Sequence, residues 1–383
     1  MEVGSREEAG GSVVSTPQSV TWPLDPHTVA KHEILGRYLQ AWLPIMTKSN
    51  ERVILIDGFA GPGEYEGGEI GSPLIMLDAF LNHSYAQIRQ KEVLFLFIEE
   101  NPKRCAHLHR LIEDRKRMQL FPPRAAYQVY QGTFKDVVND ILTSLKDRRL
   151  TLAPTFAFID PFGYSYTPFS IIQELLSYPQ CEVLITFMYE EINRFLKAGY
   201  STKEQQYTEL FGTSAWKDIV TETMSSAQRK QLIHDLYRNQ LLNLAQAHYV
   251  RSFGMRNKRN ATDYFLFFAT KHLRGMQRMK EAMCKVDPTG AYEFSDCTNP
   301  NQPYLFSLPN YAELERLLAC QFKGRSVTIQ EIEHFVIADT PFCKYKEALK
   351  RMELASPAKI IVAATAKRKR GTFADPKLRI TFL

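Results

Sequence analysis

Apolar runs of six or seven residues recur through the first half of the chain: RVILID (52–57), VLFLFIE (93–99), AYQVYQ (126–131), TFAFID (155–160) and EVLITF (182–187). Between them lie stretches with helical spacing, such as PLIMLDAFLN, PKRCAHLHRLIEDRK, FKDVVNDILTSLKD and FSIIQELLSY. Strands apolar on both sides, alternating with helices, predict a parallel sheet covered on both faces. Ahead of them, DPHTVAKHEILGRYLQAWLPIM places Ile34, Leu35, Tyr38, Leu39 and Trp42 on one side of an amphipathic helix.

A helical stretch over about 190–248 precedes HYVRSFGM and DYFLFFAT, which read as two more strands joined by the basic loop RNKRNAT. Five parallel strands closed by a hairpin make seven. That is the α/β, Rossmann-like sheet of class I methyltransferases rather than the six-stranded dinucleotide fold. From about 310 the pattern changes. YAELERLLACQF, TIQEIEHFVI and KYKEALKRMELA predict three amphipathic helices, and KIIVAATAKRKRGTF and LRITFL predict a strand, a basic tip and a returning strand. This order suggests a winged helix over 310–383. Residues 1–24, rich in Gly, Ser and Glu, read as a disordered tail, which leaves 25–305 for the methyltransferase-like domain.

Composition narrows the class. An apolar fraction of 44% with 12% aromatics is enough for a real core. The net charge of +6 is compatible with nucleic acid and too small to argue for it alone. The six cysteines contain no C-x-x-C pair and read as reduced thiols, with no metal expected. The N-terminus lacks the apolar core of a secretory signal, and the longest apolar run falls far short of the roughly 20 residues of a membrane helix. A soluble cytoplasmic protein with no membrane partner is expected.

The loop DGFAGPGEYEGGEIGSPL (57–74) follows the first strand. It lacks the Gly-Lys-Ser/Thr of a P-loop. It also fails the dinucleotide fingerprint, because Glu64 and Glu66 would face a pyrophosphate. S-adenosylmethionine carries no phosphate, and its ammonium could be received by Asp57. Gly61 and Gly63 would let the backbone approach its amino-acid part. Glu99, ending the second strand, would hold the ribose hydroxyls. Phe59, Ala60, Gly132 and Thr133 complete the candidate lining, and Ser72 is expected to cap the next helix with Pro73 in its first turn. The bland alternative for Gly-x-Gly is a tight turn.

FIDPFGYSYTPF, at the end of the fourth strand, supplies the second constellation. Methyl transfer to an amine needs a carboxylate or amide and a backbone carbonyl to accept its hydrogens, with an aromatic ring to stack on the base. Asp160, the Pro161 carbonyl and Phe162 stand in that order, with Tyr164 and Tyr166 as alternative stackers. A structural strand-end turn would look the same.

Taken as a set, AKHEILGRYLQAW, DGFAGPGEYEGGEIGSPL, IDPFG, EINRF and ATKHLRGMQRMKEAM resemble the three-Cys-motif partner protein family, from about residue 22 to the end. The resemblance implies a class I methyltransferase fold and a neighbouring three-Cys-motif protein as partner. More distantly, the Lys-His pair, DGFAGPGEY and the Asp-Pro turn are similar to J-type large-subunit ribosomal RNA adenine N6-methyltransferases. That similarity implies Lys31 and His32 beside the cofactor, Gly61 and Gly63 at its methionine moiety, Glu99 at the ribose and Asp160 at the reacting amine. Phe162 stands where that family has a proline. Read without the resemblance, Lys31 and His32 are equally compatible with solvated helix positions.

Two basic elements could meet nucleic acid: Arg256, Lys258 and Arg259 on the hairpin, and Lys367, Arg368, Lys369 and Arg370 on the wing. Each is also compatible with a solvated turn, and the wing run could mimic a nuclear signal. The winged helix could equally bind a protein. Three functions follow from the sequence: an S-adenosylmethionine-dependent methyltransferase acting on a nucleic-acid amine, adenine N6 first; a cofactor-binding partner subunit without catalysis; and a methyltransferase acting on a small molecule, against which the basic hairpin argues.

Overall fold

The computed structural model describes residues 19–118, 121–162, 167–197, 203–219, 224–297, 310–363 and 368–383. Helix α1 (Pro26–Ser49) begins at a proline, whose missing N–H costs nothing in a first turn. Then β1 (Arg52–Asp57), α2 (Ser72–Leu81), β2 (Glu92–Glu99), α3 (Pro102–Met118), β3 (Ala125–Gln131), α4 (Phe134–Asp147), β4 (Thr155–Ile159), α5 (Phe169–Ser177) and β5 (Cys181–Phe187) alternate as the pattern predicts. The helical stretch that follows is α6 (Tyr189–Lys197), α7 (Glu204–Phe211) and α8 (Ser226–Asn243), the last opened by a Ser225–Gln228 capping box. Then come β6 (Tyr249–Arg256), β7 (Thr262–Thr270) and α9 (Leu273–Val286).

The strand order is β3-β2-β1-β4-β5-β7-β6, with β7 antiparallel to β5 and β6. This is the class I methyltransferase sheet, with one addition. A short strand, β8 (Glu293–Ser295), pairs parallel to β6 and makes eight strands rather than the expected seven. Three residues without a continuous apolar run carry no strand signal of their own.

Side chains alternate across the sheet. Val53, Leu55, Phe95, Phe97, Phe156, Phe158 and Leu184 pack under α1, α2, α3 and α9. Ile54, Ile56, Ala157, Ile159, Val183 and Ile185 pack under α4, α5, α7 and α8. The fold is therefore three-layered, and the inner strands β1, β4 and β5 are buried along nearly their whole length.

One buried charge sits inside the first layer. Glu182 is fully buried at the start of β5 and accepts hydrogen bonds from Tyr38 Oη of α1 (2.5 Å) and Thr270 Oγ1 of β7 (2.6 Å). A Cβ on Gly275 of α9 would lie 2.1 Å from Glu182 Oε1, so only glycine lets α9 pass there. Here the ATKHLRGMQRMKEAM stretch acquires a role. His272 precedes α9 and its ring bonds the Pro179 carbonyl at 3.0 Å.

The C-terminal residues form α10 (Tyr311–Phe322), β9 (Ser326–Thr328), α11 (Ile329–Asp339), α12 (Lys346–Leu354), β10 (Ile360–Val362) and β11 (Arg379–Phe382). The strands make an antiparallel sheet in the order β10-β11-β9 around an apolar cluster that includes Leu314, Ile332, Leu349 and Ile380. Lys280 of α9, fully buried, donates to the carbonyls of Val336 (2.8 Å), Ile337 (3.1 Å) and Thr340 (2.8 Å) at the end of α11. Burial and the nearby Arg251 charge pull its pKa far below that of a free lysine, while Cys284, Cys343 and Asp339 work against that pull. No helix among the described residues is long and apolar enough to cross a membrane.

Candidate functional site

In an open α/β sheet the ligand cleft lies beyond the C-terminal ends of the strands, where the strand order reverses. Here β1 pairs with β2 on one side and β4 on the other, so the reversal falls between Asp57 and Asp160. Two adjoining pockets open there. One is lined by Phe59, Ile98, Glu99, Gly132, Thr133 and Phe162 among others. The other is lined by Ala60, Gly61, Gly63, Tyr65, Ser72 and Asp160, with Trp22. Phe59 and Phe162 line both, so the two parts form one cleft.

The loop after β1 has the backbone that its glycines suggest. Gly61 (φ 61°) and Gly63 (φ 88°) are left-handed, a region that L side chains rarely adopt. A Cβ on Gly63 would meet Leu108 at 2.7 Å, and one on Gly61 would touch the Trp22 ring. Ala60 N–H donates to the Ile98 carbonyl at 2.8 Å, which ties the loop to β2.

Asp57 is fully buried. Its Oδ1 accepts from the Phe59 amide (3.2 Å), while Oδ2 has no hydrogen-bond partner. Burial pushes its pKa up to about 7; hydrogen bonds from Ser72 and Phe59 offset part of this, and the Asp160 and Glu99 charges add to it. An ammonium group is what this carboxyl lacks. Ser72, expected to cap α2, does not do so. The cap is Gly71, and Ser72 and Pro73 form the first turn.

Glu99 is nearly buried and accepts from the Asn101 amide at 2.7 Å; burial raises its pKa. Its main-chain carbonyl accepts from Gly132 N–H at 3.1 Å, which brings Gly132 to the same wall. Thr133 lines the cleft too, but its hydroxyl is engaged as the cap of α4, accepting from Asp136 N–H. The Phe59 and Phe134 rings pack with centroids 5.5 Å apart. An acidic residue for a ribose, glycines for close approach and a carboxyl for an ammonium fit S-adenosylmethionine as a donor set.

Asp160 is the first residue past β4, half-buried, and its Oδ2 accepts from Lys31 Nζ at 2.5 Å. Lys31 therefore stands at the Asp-Pro turn, with its ammonium 5.3 Å from the Tyr264 ring centroid. His32 is buried with its ring against Tyr65, and burial and the Lys31 charge lower its pKa to about 3, so it is neutral at physiological pH. It lines neither part of the cleft. Pro161 packs the other way, into a small cavity with Ile185, Phe187 and Tyr237. Tyr164, Tyr166 and Lys367 lie outside the described residues.

Several site residues carried no signal in the sequence reading. Residues 19–24, expected with the tail, pack onto the loop: the Ser19 carbonyl accepts from Arg104 Nη2 at 3.1 Å, and the Trp22 carbonyl accepts from Glu66 N–H at 3.0 Å. The Trp22 ring meets Phe162 and Tyr65 edge-on (centroids 5.2 and 5.9 Å), and the Arg104 guanidinium lies 4.9 Å from its centroid. A tryptophan followed by proline in an otherwise polar tail was the available clue.

The basic candidates divide. Arg256 is paired with Glu293 (2.5 Å), Arg368 with buried Glu353, and Arg370 Nη2 donates to the Glu353 carbonyl (2.8 Å). Lys258, Arg259 and Lys369 are exposed. Among the described residues no cluster of three or more metal-ligating side chains occurs.

No family model matches the chain, and no curated protein matches it. Among solved structures, the small RNA methyltransferase HEN1 is similar at 10% identity and a TM-score of 0.33, over 67% of this chain and 28% of that one. The chain thus spans under a third of that protein's length. The METTL16 methyltransferase domain is similar at 12% identity and 0.34, over 66% and 74% of the two chains. Human methyltransferase-like protein 13, solved with SAH, is similar at 10% and 0.34, over 73% and 98%. At such scores no argument about activity rests on these likenesses. Strand order and the position of the cleft, read from the chain itself, place it in the class I methyltransferase fold.

Proposed function

We propose that the protein transfers a methyl group from S-adenosylmethionine to an exocyclic amine of a nucleic-acid base, with adenine N6 the preferred target. The observation that carries this reading is Asp160, a carboxylate held by Lys31 at the end of β4 beside Phe162, where the two halves of the cleft meet. When bound, the cofactor supplies an electrophilic methyl group on a sulfonium. Asp57 receives its ammonium, Gly61 and Gly63 admit its amino-acid part, and Glu99 takes the ribose hydroxyls. Lys31 fixes one oxygen of Asp160, which leaves Oδ1 to accept an N–H of the incoming amine, and the Pro161 carbonyl takes the second. Phe162 stacks on the base. Holding amine and methyl group in line supplies much of the acceleration.

Exposed Lys258, Arg259 and Lys369 are the phosphate contacts of this reading. The C-terminal unit, with helix–strand–helix–helix–strand–strand order, serves as a winged helix. The test is calorimetric titration with S-adenosylmethionine and S-adenosylhomocysteine beside Gly61→Arg, then transfer of labelled methyl to RNA and DNA beside Asp160→Ala. Binding lost in the first variant and transfer lost in the second are expected. Full transfer by Asp160→Ala would sink the catalytic assignment.

A second reading, a cofactor-binding partner subunit for a three-Cys-motif protein, is favoured by Phe162 in place of the second proline and by Lys31 occupying Asp160 Oδ2. It expects cofactor binding without transfer by the isolated chain, and transfer when the partner is added.

A further inference from the structure

A cleft lies away from the cofactor site, between α9 and the connection from α11 to α12. It is lined by Glu281, Cys284 and Lys285 on one side and by Phe342, Cys343 and Lys344 on the other. Cys284 and Cys343 both line this cleft, and Cys284 Sγ lies 3.6 Å from Tyr292 Oη. Both residues are partly accessible.

The pairing follows from how the two units are fastened. Cys284 is four residues past Lys280, on the same face of α9. Cys343 is three residues past Thr340, whose carbonyl accepts from both Lys280 Nζ (2.8 Å) and Arg251 Nη2 (2.9 Å). The anchor that fixes α11 on α9 thereby also sets the distance between the thiols. Elsewhere the cysteines have other surroundings: Cys105 and Cys181 are buried, and Cys297 and Cys320 are exposed.

We infer that Cys284 and Cys343 are a disulfide-forming modification site, through which a low-molecular-weight disulfide can covalently join the methyltransferase domain to the C-terminal unit. The Cys343 thiolate attacks one sulfur of the external disulfide, forming a mixed disulfide and expelling one external thiolate. The Cys284 thiolate then attacks the Cys343 sulfur, forms the protein disulfide and expels the second. Two protein thiols are oxidised, one external disulfide is reduced, and the two protons pass to the two released thiolates. The order follows from the surroundings. The neighbouring Cys284 thiol and the Lys344 charge hold the Cys343 thiol below its ordinary pKa, while the Cys343 neighbour and burial raise Cys284. The bond would close a loop of roughly 60 residues, which raises the melting temperature of the oxidised form.

The test treats the folded full-length chain with graded ratios of oxidised to reduced glutathione, followed by non-reducing digestion and mass spectrometry. A Cys284–Cys343 linked peptide is expected, with the loss of two of the six thiols at these positions and recovery on reduction. Cys284→Ser and Cys343→Ser should each abolish the linked peptide and leave the remaining cysteine as a glutathione adduct. The Cys297→Ser/Cys320→Ser double variant should still form it. The wild-type peptide map decides even where a variant fails to fold. Oxidation confined to Cys297 and Cys320, or adducts on Cys284 and Cys343 with no linked peptide, would overturn the inference.

Discussion

Cofactor affinity should fall as the pH drops through 7, and Asp57 is the reason. In the free protein its carboxyl titrates at about 7 because it is wholly buried, with Oδ2 unpartnered. Only the ionised form attracts an ammonium, so below pH 7 the ligand must first expel a proton. With a free-state pKa of about 7 and a much lower one in the complex, apparent affinity is divided by one plus ten to the power (7 − pH). That is about twofold at pH 7 and roughly tenfold at pH 6, against the limit for ionised Asp57. The ligand's own α-amino group, near 7.7–8.0, loses its charge on the alkaline side, so the whole profile is a bell. Asp57→Asn removes the acid limb and leaves the alkaline one. Calorimetry at pH 6 and 7 in buffers of different ionisation enthalpy should count a net release of roughly 0.9 and 0.4 protons per cofactor bound. Wild-type affinity that does not fall between pH 7 and pH 6, or an acid limb that survives in Asp57→Asn, would refute the reasoning.

Other outcomes follow from geometry. Asp160→Asn keeps the shape of the turn and removes its charge, so single-turnover methyl transfer should fall about 10²–10⁴-fold with cofactor affinity unchanged by titration. Gly275→Ala drives a methyl group to within 2.1 Å of buried Glu182; urea unfolding should show a loss of about 1–3 kcal/mol. Gly36→Ala, whose Cβ meets only Ile75 at 3.5 Å, serves as its near-neutral control. Lys280→Met strands three carbonyls at the end of α11 and should cost about 3 kcal/mol or more by the same measurement. Lys258→Ala with Arg259→Ala should weaken nucleic-acid binding and lower the salt slope by about 2. Arg256→Ala should instead show up in stability, since its partner is Glu293.

The inner strands of the sheet were legible because each is an apolar run bounded by turns or helical spacing, and burial on both faces demands such runs. Asp57, Gly61, Gly63 and Glu99 were legible for a related reason. They sit at strand ends or in the tight loop beside them, where the chain must turn and a side chain must face the cleft. What escaped depended on contacts between distant segments. Trp22 reaches the cleft from a stretch whose composition reads as a tail, and Arg104 reaches Trp22 from the face of α3. The Lys31–Asp160 pair joins residues 129 positions apart. No local pattern announces such a pair, and the family resemblance gave Lys31 only the right neighbourhood. Arg256 and Arg368 read as free cations because their partners, Glu293 and Glu353, are not sequence neighbours.

Lys280 bears on how the chain can be cut. Removing residues 310–383 would strip a buried lysine of all three acceptors and uncover the apolar surface that Ile337 covers. The excised C-terminal unit would in turn lose the donor that satisfies the end of α11. The two units are therefore not portable cassettes. A graft onto another domain of this fold would need a lysine at the matching turn of its final helix, and deletion experiments that assign functions to the halves would measure damaged halves.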